Sequence, residues 1–234
     1  MKILAADTST ATGSVALLEG RRVIAEWILQ SNITHNRLLL KNIDFVLQKV
    51  GWTLDQVEGF AVTTGPGSFT GLRIGLTTLK TLAWTLQKPY AGIPSLDALA
   101  APFRFSRLPV CSIIDARKKE VYCAFYQPDG KGFPLLKERH FVLSPERVPD
   151  HVKGPTIFCG DGWLLYRDIL IDLLGDFALE APAPFHVIRA SFVAELAHAK
   201  FQAGEAENPM ASVPLYVRPS EAEIQNPHLT TRSS

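Results

Sequence analysis

Short apolar runs open the chain at Lys2 to Ala6, Ser14 to Leu18 and Arg22 to Leu29, with Gly13 and the Glu19-Gly20 pair marking the turns between them. Runs of strand length bounded by turn residues predict a three-stranded meander. The period then lengthens. Leu39, Ile43, Val46 and Val50 recur at helical spacing, which predicts a helix from about Asn36 to Val50 stopped by Gly51. Leu39, Leu40, Ile43, Val46, Leu47 and Val50 fill one arc of that helix, and Leu38 and Phe45 lie together on its otherwise polar side. A strand is expected from Gly59 to Thr63 and a helix from Thr70 to about Gln87, with Pro89 as its terminator. Opposite the Leu72, Leu76, Leu79 and Leu86 arc of this second helix stand Ile74, Thr77, Thr81, Trp84 and Thr85, with hardly a charge. A helix so uncharged all round is usually buried on two sides. One cover is its own sheet. The other is a second layer of this chain or a partner protein, and Gly71 and Gly75, one turn apart, would let another helix approach closely.

A short strand near Tyr90 to Ile93 and a brief helix capped by Ser95 lead to Pro102 to Pro109, where two prolines and two arginines mark the expected boundary between lobes 1–103 and 104–234. Strand patterns then resume. Val110 to Ile114 and Val121 to Tyr126 flank the polar tip Asp115 to Glu120 and predict a hairpin, and Thr156 to Cys159 runs through Gly160-Asp161-Gly162 into a helix from Trp163 to Leu174. Ser191 to Phe201 predicts a last helix, and the tail from Asn208 is broken by prolines. Both halves begin with hairpin-connected strands and continue with helices, which suggests an α/β duplication, although no sequence repeat is strong enough to prove it.

With 234 residues, 47% of them hydrophobic, the chain can bury a core as one large domain or two small lobes. A net charge of +1 gives no strong field for nucleic acid, and the Arg117-Lys118-Lys119 group reads first as a solvated hairpin tip. Cys111, Cys123 and Cys159 lie in apolar runs without Cys-x-x-Cys spacing, so they are expected to be small core residues and neither disulfides nor zinc ligands. The start of the chain lacks a signal-peptide core, and no apolar run approaches the about 18 residues of a membrane span, so a soluble cytoplasmic protein is expected.

The segment Thr64-Gly-Pro-Gly-Ser-Phe-Thr-Gly-Leu-Arg-Ile-Gly75 joins the predicted fourth strand to the second helix. Gly65 and Gly67 permit unusual backbone conformations, and Thr70 is placed to cap the helix, where a phosphate could sit. The segment lacks the Gly-Lys-Ser/Thr ending of a P-loop. Asp7-Thr8-Ser9-Thr10 supplies carboxylate and hydroxyl oxygens suited to a hard cation on a nucleotide phosphate, and equally suited to an Asx or Ser/Thr turn. None of the six histidines has a histidine partner at helical metal-pair spacing, and no Gly-x-Ser-x-Gly elbow occurs.

Four of these segments together carry a family likeness: Asp7 to Thr10, Thr64 to Arg73, Asp115-Ala-Arg-Lys-Lys-Glu-Val-Tyr122, and Pro214-Leu-Tyr-Val-Arg218. The chain resembles the TsaB (formerly YeaZ) family over almost its whole length; residues from about Ala222 match nothing in it. The resemblance implies a two-lobed actin-like ATPase fold (ASKHA, RNase H-like), each lobe a mixed sheet with flanking helices. It also implies a non-catalytic scaffold in the threonylcarbamoyl modification of adenosine beside the anticodon of tRNAs reading ANN codons. The implied partners are the enzymatic paralogue TsaD and the ATPase TsaE, with tRNA met through the complex and a homodimer formed in isolation. The paralogue's metal-binding histidines lie in an Asn-His-Leu-Glu-Gly-His segment, which corresponds here to Pro94-Ser95-Leu96-Asp97-Ala98-Leu99. Ser95 and Leu99 take the histidine places, and a hydroxyl with an isobutyl group cannot replace two imidazoles. No metal and no tightly bound cofactor are therefore expected. Asp7, Thr8, Ser9, Gly65 and Gly67 are read as vestigial phosphate loops that bind nucleotide weakly at most, in the complex. Leu38, Phe45, Gly71, Ile74, Gly75 and Trp84 are read as the interface. Two rival readings are an active nucleotide-dependent kinase of the same superfamily and a metallopeptidase.

Overall fold

The computed structural model describes residues 1–30, 38–128, 134–136, 140–215 and 217. The opening meander is present as β1 (Lys2–Asp7), β2 (Thr12–Glu19) and β3 (Arg22–Gln30), all antiparallel. Helix α1 spans Leu39–Val50, and Gly51 at φ 70° stops it as expected; Asn36 lies outside the described residues. β4 (Gly59–Gly65) and β5 (Tyr90–Pro94) add parallel to β1, with α2 (Phe69–Thr85) crossing between them. The resulting sheet has the order β3-β2-β1-β4-β5.

Helix α3 (Ser95–Ala100) leads to β6 (Val110–Arg117), β7 (Glu120–Pro128), β8 (Pro134–Leu136), β9 (Phe141–Leu143) and β10 (Thr156–Cys159). Then follow α4 (Asp161–Leu174), β11 (Ala178–Glu180) and α5 (Ala190–Gln202). The second sheet has the order β11-β10-β6-β7-β8, with β9 also paired to β7. Its β6-β7 hairpin followed by parallel β10 and β11 repeats the plan of β1, β2, β4 and β5. A crossover helix follows the third strand of each plan, α2 in one and α4 in the other, as parallel neighbours require.

Alternation along the central strands explains the layers. Leu4 and Ala6 of β1, Val15 and Leu17 of β2, and Phe60 and Val62 of β4 pack under Leu39, Ile43, Val46, Leu47, Leu76 and Leu79 of α1 and α2. The opposite face is lined by Ala5, Ala16, Ala61 and Ala91, small side chains that admit α5 through its own Ala190, Ala194 and Ala197. The boundary at 103/104 thus separates the two sheets but not their helices. Helix α5, placed in the second lobe by the sequence reading, packs on the first sheet. Ser14 Oγ donates to the Ile188 carbonyl at 3.0 Å, and Arg189 Nε donates to Glu26 at 3.0 Å.

Three local expectations are corrected. Leu40, assigned to the buried arc of α1, is 61% exposed, because the helix turns only Leu39, Ile43, Val46 and Leu47 to the sheet. Thr70 does not cap α2; Ser68, two residues earlier, does so, its Oγ accepting the Gly71 N–H at 3.3 Å. Ser95 does not cap α3 either, since Pro94 holds the cap position. The cysteines are free and buried, and burial pushes the Cys123 thiol up to about 12.

Candidate functional site

The acidic turn after β1 and the glycine segment before α2 lie against each other. Asp7 Oδ1 accepts hydrogen bonds from Ser9 N at 3.0 Å, Ser9 Oγ at 2.6 Å and Thr63 Oγ1 at 2.6 Å. Thr8 Oγ1 donates to the Gly71 carbonyl at 2.7 Å, and Ser68 N donates to the Ser9 carbonyl at 2.6 Å. Asp7, Thr8 and Ser9 are all buried. A β-carbon on Gly67 would overlap Ser9, and one on Gly71 or Gly75 would overlap Thr8. These glycines exist so that the β1–β2 turn can sit on the start of α2. This corrects the interface assignment of Gly71 and Gly75: both are buried on the inner side of α2 and closed to a partner helix. Gly65, at φ 116°, faces the carboxy-terminal segment, where Leu215 N donates to the Thr64 carbonyl at 2.7 Å. Leu215 of the Pro214 to Arg218 segment therefore pins the glycine loop, while Tyr216 and Arg218 lie outside the described residues.

Two N–H groups at the start of α2 are engaged within the protein: Ser68 N by the Ser9 carbonyl and Gly71 N by Ser68 Oγ.

The second hairpin faces this turn with further carboxylates. Asp161, at the start of α4, accepts the Asp115 N–H at 3.2 Å. Burial pushes its carboxyl from 3.8 up to about 6, and the negative charges of Asp115 and Asp7 act in the same direction. The sequence reading named Asp161 only as part of a Gly-Asp-Gly turn. Its proximity to Asp7 arises only when the two sheets come together. Among the described residues no set of three histidine, cysteine, aspartate or glutamate side chains is arranged to hold a metal.

An aspartate whose carboxyl is raised on folding is stabilising below its unfolded value, and that contribution is lost as pH rises through about 6. Asp161→Asn keeps an oxygen for the Asp115 N–H and removes the charge. Its melting temperature should match the parent near pH 4 and exceed it at pH 7.5, by the equivalent of about 2 kcal/mol. Equal melting temperatures at both pH values would contradict the buried-charge account.

His186, which the sequence reading set aside, holds the β10–α4 turn in place. Its Nδ1 accepts from Gly160 N at 3.3 Å, and Nε2 lies 2.8 Å from the Ala181 carbonyl, which selects the Nε2–H tautomer. The Arg117-Lys118-Lys119 tip carries three consecutive left-handed residues, at φ 61°, 54° and 60°. Ser95 and Leu99 are buried, and Ser95 Oγ has no hydrogen-bond partner among the described residues.

On the outer face of the first sheet, Phe45 of α1 is 49% exposed and Trp84 of α2 is 60% exposed. Leu38 and Ile74 are half-buried, Ile74 against the core below. Leu40 and Phe69 join the exposed set, which the sequence reading did not anticipate.

Comparison with known proteins gives this geometry a context. Residues 29–225 match the family model described as "TsaD: tRNA N6-adenosine threonylcarbamoyltransferase". The tRNA threonylcarbamoyladenosine biosynthesis protein TsaB of Bacillus subtilis is 34% identical over 228 residues, covering 96% of this chain and 97% of that protein. The chain belongs to the TsaB family. YeaZ from Pseudomonas aeruginosa superposes with a TM-score of 0.78 at 31% identity, covering 92% of this TsaB-family chain and 99% of that one. The activator of 2-hydroxyisocaproyl-CoA dehydratase from Clostridium difficile, solved with bound ADPNP, has a TM-score of 0.53 at 11% identity and covers 89% and 99% of the two chains. That likeness shows the fold alone, and the fold is the actin-like ATPase one with two mixed sheets. No helix among the described residues is long and apolar enough to cross a membrane.

Proposed function

We propose that this TsaB-family chain acts in the cytoplasm as a non-catalytic subunit in threonylcarbamoyl modification of the adenosine beside the anticodon of tRNAs reading ANN codons. The observation that carries the non-catalytic reading is the pair Ser95 and Leu99. By the family resemblance they stand where the catalytic paralogue has its two metal-binding histidines, and both are buried, one as a hydroxyl and one as an isobutyl group. Neither side chain can supply the imidazole donors of a transition-metal site. The companion reading, that nucleotide binds weakly at most, is supported by the β1–β2 turn lying against the start of α2, where Ser9 takes the Ser68 N–H and Ser68 Oγ takes the Gly71 N–H.

The scaffold role rests on the outer face of α1 and α2. Two helices side by side on one face of a sheet, each with an exposed aromatic, suit a helical contact with a similar pair. In this reading the pair belongs to TsaD in the working complex, with TsaE added, and to a second copy of this chain when TsaD is missing. Purified chain supplied with threonylcarbamoyl-adenylate and tRNA should give no modified adenosine, and addition of TsaD should restore it. Transfer by the chain alone would overturn the reading. Tight, magnesium-dependent ATP binding abolished by Asp7→Ala would replace it with a kinase.

A further inference from the structure

Helix α4 exposes a second apolar surface, on the other sheet. Trp163, Leu170 and Leu174 face the core; Ile169 and Leu173 form a ridge at i, i+4 spacing toward solvent, and Leu165, on the other side of a backbone kink at Tyr166, is exposed as well, Leu165 by 58% and Leu173 by 51%. Leu164, Phe177 and Leu179 extend the patch at both ends of the helix. The parallel ridge is acidic. Asp168 and Asp172 lie on α4, Asp176 just beyond its end, and all three are exposed. Arg167, the basic residue beside them, is held by Glu180 at 2.5 Å and reaches Asp168 only at 3.6 Å, so the face keeps a net negative charge.

We propose that this face of α4 docks a basic amphipathic helix of a partner protein, at a site independent of the α1–α2 face. An apolar ridge flanked by carboxylates one turn apart is complementary to a helix with leucine-like residues at i, i+3/i+4 and i+7 and Lys or Arg along one edge. A second copy of this chain fits poorly, because an antiparallel α4 pair would lay the aspartates of both copies along one seam, and like charges facing each other are repulsive. The chain's own tail also fits poorly. Residues 218–234 balance Arg218 and Arg232 against Glu221 and Glu223, contain Pro219 and Pro227, and have no leucine repeat.

The probe is a helical peptide of about 18 leucine and lysine residues with one apolar face, beside its leucine and glutamate counterpart. Fluorescence anisotropy against the full chain should show binding of the lysine peptide and none of the glutamate peptide. Leu165→Glu and Leu173→Glu should weaken it roughly tenfold or more, and Asp168→Lys with Asp172→Lys should exchange the preference. Phe45→Asp should change nothing, which keeps this test separate from the α1–α2 reading. Circular dichroism shows whether each variant remains folded. Equal binding of both peptides, or a preference untouched by the charge reversal, would overturn the proposal. So would a tenfold gain in affinity on ending the chain at Val217, which assigns the face to the tail. Loss of a homodimer in Leu165→Glu would assign it to a second copy and overturn the proposal equally.

Discussion

Gly71→Ala should lower the melting temperature by about 6 to 12 °C, corresponding to roughly 3 kcal/mol in a chain of this size. The added methyl would overlap the Thr8 carbonyl, a backbone atom that cannot rotate away. Relief requires the β1–β2 turn to retreat from α2. That movement breaks the Thr8 Oγ1 bond to the Gly71 carbonyl and the Ser68 N–H bond to Ser9, and it exposes Asp7, whose Oδ1 depends on Ser9 for two of its three donors. Gly154→Ala is the control, because its β-carbon would meet nothing within 4 Å. Thermal melts that place Gly71→Ala beside Gly154→Ala would refute the tight docking of turn on helix.

Trp84→Asp and Phe45→Asp should each abolish pairing, with itself and with TsaD, at concentrations where the parent chain associates. Truncating an aromatic anchor at a packed seam costs on the order of 2 kcal/mol or more, about thirtyfold in affinity, and a buried unpaired carboxylate adds to the loss. The fold should survive because both side chains are largely exposed in the isolated chain, with the Lys49 ammonium 5.5 Å from the Phe45 ring. Sedimentation velocity gives the association and circular dichroism the fold. Unchanged sedimentation and unchanged TsaD binding would remove the α1–α2 face from the interface, and lost helicity would mean that these residues support the core.

Most of the layer plan was legible along the chain because strands and helices announce themselves through their periods. The β1–β3 meander, the β6-β7 hairpin and β10 all fall within a few residues of their expected spans. What escaped were β8, β9 and β11, three residues each, too short for a period to register. Leu40 was misplaced for a related reason. One more leucine beside Leu39 widens a hydrophobic arc on paper, whereas in the molecule Leu39, Ile43, Val46 and Leu47 are buried, Val50 packs partly against the core and Leu40 is exposed.

The candidate site divides along the same line. Local chemistry alone identified Asp7, Thr8, Ser9, Gly65 and Gly67 as a turn and a loop of unusual backbone, whereas Ser95 and Leu99 drew notice only through the family resemblance. Neither could reveal why Gly71 and Gly75 are glycines. One-turn spacing on a helix fits a partner helix and an approaching loop equally well, and only the placement of the Thr8 carbonyl against α2 distinguishes them. The same holds for Asp161, whose raised carboxyl needs Asp115 and Asp7 from distant parts of the chain, and for α5, which returns past the second sheet to the alanine face of the first. Periodicity and side-chain chemistry are properties of neighbouring residues and are written in the sequence. Close approach, burial of charge and the choice of partner surface depend on which distant backbones touch, and that is decided only when the two sheets pack.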